Sequence, residues 1–73
     1  MPEYTIDRVE DELILMKDRW WPVGGAVVDF NRSESNRWRA ETGCGTEAQI
    51  IGWYATADEA AAALLDRAEV FEL

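Results

Sequence analysis

The sequence predicts an α+β domain, an antiparallel β-meander of three to five strands packed on one C-terminal α-helix. Three observations predict it. Residues 56–68 carry a helix-capping signal followed by apolar residues at three- and four-residue spacing. Short runs such as Tyr4–Val9 and Arg37–Glu41 alternate apolar and polar residues in the manner of strands. Between the runs lie turn-forming clusters, Glu10–Glu12, Asn31–Asn36 and Thr42–Ala48.

In Tyr4–Val9, Tyr4 and Ile6 share one side and Thr5 and Asp7 the other, which predicts a first strand. Leu13–Lys17 is apolar on both sides and reads as a buried strand, with winding of Val9–Met16 into helix as the alternative. Pro22 cannot donate to a strand ladder, which assigns Asp18–Val23 to a sheet edge or a loop. Gly24-Gly25 reads as a turn before a strand at Ala26–Phe30, with Ala26, Val28 and Phe30 on one face. Trp38 and Ala40 then face one way from Arg37–Glu41, and Arg37, Arg39 and Glu41 the other. Gln49–Tyr54 is the strand that feeds the helix, with Gly52 marking a bulge or a close helix approach. Thr56 and Glu59 form a capping box, the hydroxyl accepting from the Glu59 amide and the carboxylate from the Thr56 amide. Ala57, Ala60, Ala61, Leu64, Leu65 and Ala68 make the stripe, and its alanines let the helix backbone approach a sheet closely.

At 73 residues, with no linker and no internal repeat, residues 1–73 read as a single small domain. A chain this short buries only about 60% of its unfolded surface, so a homodimer is a plausible route to further stability. Histidine is absent and Cys44 is the one cysteine, so the common Cys/His metal sets and an internal disulfide are excluded. Cys44 reads as an ordinary free thiol, because no histidine can serve as its base. GCGTEA lacks the lysine and following helix of a phosphate loop, and no cofactor is expected. The Glu10, Asp11, Glu12 cluster reads as a solvated turn rather than an acid–base pair, so an enzyme is the least supported class. With no basic, apolar leader and no run of roughly 20 apolar residues, the expectation is a cytoplasmic protein without a membrane partner.

The formal charge is −8 and is unevenly spread. Residues 1–18 carry −4 and residues 40–73 carry −6, around a middle at +2 that holds Arg19, Arg32, Arg37 and Arg39. Such a field repels nucleic-acid phosphate and attracts basic protein surfaces.

Trp38 and Ala40 in RWRAE, Gly52 and Tyr54 in IGWY, Thr56, and Glu59, Ala60 and Ala61 in TADEAAAAL carry a partial resemblance. Over residues 37–68 the chain resembles the three-strand-plus-helix DNA-binding fold of plant ethylene-response factors and of the arm-type domains of phage tyrosine recombinases. The resemblance implies that fold, with a DNA-reading sheet on which Arg37, Trp38, Arg39 and Trp53 would stand. In size and charge, though not in motif, the chain is similar to small phage inhibitors and DNA mimics, including some anti-CRISPR proteins.

One helix covers one face of a sheet, so the other must be solvated, paired or used. Four tryptophans exceed what so small a core requires. Trp38 and one of Trp20 or Trp53 are expected in the core, and the other two are interface candidates. The leading expectation is a non-catalytic acidic protein that binds a basic site on a partner, one that handles nucleic acid. Its candidate partner-binding residues are Trp20, Trp21, Arg37, Arg39, Trp53, Glu10, Asp11 and Glu12. The alternative is a nucleic-acid-binding module on the Arg/Trp-bearing open face.

Overall fold

A computed structural model describes residues 3–43 and 48–71. Five strands, β1 (Tyr4–Val9), β2 (Glu12–Lys17), β3 (Trp21–Val28), β4 (Trp38–Thr42) and β5 (Gln49–Tyr54), form one antiparallel sheet in sequence order. A 3-10 turn at Glu34–Asn36 joins β3 to β4, and helix α1 (Ala57–Phe71) closes the chain. The α+β meander predicted from sequence is thus present, at the upper end of its strand range. No helix among the described residues is long and apolar enough to cross a membrane. Cys44, Gly45, Thr46 and Glu47, which include the expected free thiol, lie outside the described residues.

The core lies between α1 and one face of the sheet. Leu13 and Leu15 of β2, Ala26 of β3, and Trp38 and Ala40 of β4 meet Ala57, Ala60, Leu64 and Ala68 of α1. Small residues face each other at the centre, so the helix settles close to the strands. Leu15 and Leu64, the largest side chains fully sealed from solvent, each contribute about 1.5–3 kcal/mol by removal from water. The helix begins where the capping signal stands: the Glu59 amide donates to Thr56 Oγ1 at 3.2 Å. The reciprocal bond differs from the expected one, since Glu59 Oε2 accepts from the Ala55 amide at 3.1 Å rather than from Thr56.

The main correction concerns β3. Gly24-Gly25 is no turn; the strand runs straight through it, and the preceding turn falls at Asp18–Trp20. A Cβ on Gly24 would lie 2.6 Å from the Glu41 carbonyl oxygen of β4, and one on Gly25 would collide with the Leu13 carbonyl oxygen of β2. The glycines therefore let an interior strand pass between two close neighbours. Pro22 lies in β3, outside the stretch that β4 pairs, which is locally the sheet-edge position expected of it. It is accommodated because Val23 is the extra residue of a β2–β3 bulge and because β4 pairs with β3 only from Gly24 onward. The strand ends at Val28, leaving Phe30 outside it and 67% exposed. In β5 the register shifts beside Gly52, as a bulge requires. The nearest group to a would-be Cβ there is the Tyr54 hydroxyl, 2.6 Å away at the end of a rotatable side chain, and not the helix.

Candidate binding surfaces

Three surfaces carry the residues singled out above. The first is the sheet face opposite the helix. Strand register places Val9, Glu12, Val27, Arg39 and Trp53 in one cross-strand row, and Asp7, Ile14, Gly25, Glu41 and Ile50 in the next. Arg39 Nε lies 2.6 Å from Glu41 Oε1. Its N–H does not point at that oxygen, however, so the Nε is buried with no hydrogen-bond partner. Arg32 stacks on the Trp53 ring at 3.7 Å from its centroid, and Arg39 approaches the same ring at 6.0 Å. Because Gly25 presents no side chain between Ile14 and Glu41, the face is dented by a hollow of about 410 Å³ that also touches Pro22, Val27 and Arg39.

The second surface is the end of the sheet where β1 turns into β2. A hollow of about 480 Å³ is lined there by Asp11, Val28, Phe30, Glu34, Arg37, Trp38, Ala55 and Thr56. The Val28 amide donates to the Asp11 carbonyl and the Asp29 amide to that of Arg37, which draws three distant segments together. The two arginines here are turned to backbone carbonyls. Arg32 Nε donates to the Asn36 carbonyl, and Arg37 Nε and Nη2 donate to that of Arg32. Among the described residues, the ion pairs are Arg19–Glu3 and Arg39–Glu41, and Glu10, Asp11, Glu12, Glu34, Asp58 and Glu59 take part in neither.

The third surface is the β2–β3 hairpin tip, at the far end of β2 from the acidic turn. Asp18 and Arg19 both hold left-handed backbone, φ 53° and 64°, and the Trp20 amide closes the turn on the Lys17 carbonyl. Glu3 fastens it: its carbonyl accepts from the Asp18 amide at 2.6 Å, its amide donates to Asp18 Oδ1, and its carboxylate pairs with Arg19. The tip presents Trp20 at 80% exposure and Trp21 at 65%.

The structure brings Glu12, Arg39 and Trp53 together on the open face and places Asp11 and Arg37 in the end hollow, with Glu10 beside it. Trp20 and Trp21 stand apart from both groups. The expected pair of core tryptophans is corrected to one. Trp38 is buried, Trp53 is half-buried on the face away from the helix, and Trp20 is in solvent. Sequence reading missed Arg32 as the partner of Trp53, since it lies 21 positions away in a polar turn with no periodic relation to the strand. It also missed Ile14 and Val27 on the open face, although alternation from Leu13 and Ala26 was enough to find them.

Comparison of the chain with protein-family models, with curated proteins and with solved structures found no match. The likeness to the ethylene-response-factor and recombinase-arm fold is carried by the quoted residues alone.

Proposed function

We propose that this chain is a non-catalytic binding protein whose acidic end docks on a basic site of a partner protein, in the manner of a small inhibitor or DNA mimic. One observation carries the reading. Asp11 of the β1–β2 turn and Glu34 of the 3-10 turn line one hollow without an ion pair to either, while Arg37 on the same wall directs its N–H groups to the Arg32 carbonyl. Carboxylates beside exposed Phe30, on a chain of net charge −8, suit a basic, DNA-binding groove, for which charge steers the encounter and an aromatic anchors it. A nucleic-acid-handling protein of a phage host is the partner class this predicts.

Immobilised chain is expected to retain such a protein from lysate at 50 mM salt, to release it near 0.5 M salt and to lose it to competing duplex DNA. Replacing Glu10→Gln, Asp11→Asn and Glu34→Gln together should weaken that association by about tenfold or more. Retention that ignores both salt and the triple substitution would sink the reading.

A second reading has its own observation, the Arg32–Trp53–Arg39 stack on the open sheet, which resembles the platforms that hold single-stranded nucleic acid. Under the leading reading, titrating single-stranded or duplex DNA at low salt leaves tryptophan emission unchanged. Quenching that disappears in Trp53→Ala would transfer the assignment to nucleic acid.

A further inference from the structure

We propose that β1 is a self-association edge: β1 of one copy pairs antiparallel with β1 of a second copy about a two-fold axis at Ile6, so that the two sheets run on as one. The backbone is set up for it. Along an edge strand, residues that exchange hydrogen bonds with the neighbouring strand alternate with residues that turn away from it. The Asp18 amide donates to the Glu3 carbonyl, and the Val28 amide to the Asp11 carbonyl, which makes Glu3, Thr5, Asp7 and Val9 the residues that bond β2. The amides and carbonyls of Ile6 and Arg8 therefore point outward, to a side that no strand of the described residues occupies.

The opposite edge of the sheet is treated differently. The β4–β5 ladder is interrupted by a bulge, the 3-10 turn lies against β5, and Arg32 stacks on its Trp53. Bulges and covering loops of this kind keep a sheet edge from pairing. β1, by contrast, holds an unbroken register with β2 from Tyr4 to Val9 and contains neither glycine nor proline.

The charges of β1 select a register rather than forbid pairing. With the axis at Ile6, Asp7 lies opposite Thr5 of the second copy on the open face, and a carboxylate there can accept from the hydroxyl. Arg8 lies opposite Tyr4 of the second copy on the helix face, where a guanidinium can stack on the ring. Half-buried Ile6 meets its own copy. An axis one residue earlier sets Asp7 against Glu3, and an axis one residue later sets Asp7 against Asp7; like charges directly opposite are destabilising. Neither Asp7 nor Arg8 takes part in the ion pairs within the chain. The antiparallel arrangement also sends the two Glu10–Glu12 turns to opposite ends of the joined strands, so two chains of charge −8 meet with their acidic ends apart.

A pair of six-residue edges makes a small interface of the weak, reversible kind, so association is read up to about 2 mM. Sedimentation of the full chain should show a mass rising from 8.3 kDa toward twice that value. Arg8→Pro removes an outward amide and leaves the β1–β2 bonds in place; with its fold confirmed by circular dichroism, it should associate about tenfold more weakly or worse. Register is read separately by thiol trapping in a Cys44→Ser background. The thiols of Thr5→Cys and Asp7→Cys would face each other across the axis at a pair about 4.5 Å apart between Cα atoms, within disulfide range, whereas each is two residues out of line with its own copy. Under mild oxidation the mixed disulfide should form about tenfold faster than either homodisulfide. A chain that stays monomeric at the highest concentration, an Arg8→Pro variant that associates like wild type, or homodisulfides that form as fast as the mixed one would overturn the proposal.

Discussion

Leu64→Ala is expected to remove a large fraction of the stability of this domain. Leu64 is fully sealed at the centre of the helix–sheet contact, beside alanines that cannot expand into the space it leaves. Leucine-to-alanine changes at such sites cost about 2–5 kcal/mol. A domain of 73 residues at ~0.05–0.15 kcal/mol per residue holds about 4–11 kcal/mol in all. Urea unfolding followed by circular dichroism should therefore show the midpoint falling by about 2 M or more, or no folded baseline at all, at slopes near ~1 kcal/mol per M. A shift below about 0.5 M would mean that α1 does not lie on this face of the sheet.

The second large effect is expected at Gly25. In Gly25→Ala the new methyl group meets the Leu13 carbonyl oxygen, a backbone atom held in the β2–β3 ladder, so relief requires the strands to part. Overpacking of this kind costs about 1–3 kcal/mol and occasionally more. Ser35→Ala, an exposed change in the 3-10 turn, serves as the control and should stay within about 0.5 kcal/mol of wild type. If both variants unfold alike, β3 does not run through Gly24-Gly25 and the hollow on the open face has another shape.

These two positions also mark what the sequence could and could not reveal. Leu64 was legible because helix periodicity and a local cap are written within a few residues of each other, and Thr56 holds the Glu59 amide as its type and spacing require. Trp38 and Ala40 were legible for the same reason, since alternation within one strand decides which side is inward. Gly25 was misread. A Gly-Gly pair after a proline is a turn signal locally, and the carbonyls that make glycine necessary, that of Leu13 against Gly25 and that of Glu41 against Gly24, come from strands 12 and 17 positions away. Trp20, which the structure puts at the exposed hairpin tip, was counted as a core candidate because alternation says nothing about a residue in a turn. Of the candidate site, the acidic turn and the open-face Arg39 follow from pattern, whereas Trp53 was left open between core and surface. The Arg32 guanidinium over Trp53 does not follow from pattern, because it is fixed by a cation and an aromatic ring meeting across the tertiary fold.

The order of the sheet has a consequence for how the molecule assembles. Every strand pairs with the one before it in the chain, so four successive hairpin closures, each spanning a short stretch of backbone, can zip the ribbon with little loss of loop entropy at any step. The exception is the helix. It lies against β1 as well as against its neighbours in sequence, so its docking joins the two ends of the polypeptide and can be completed only after all five strands are in register. The pairings of the ribbon are local in sequence, whereas the burial of Leu15 and Leu64 rests on contacts that tie the last element to the first.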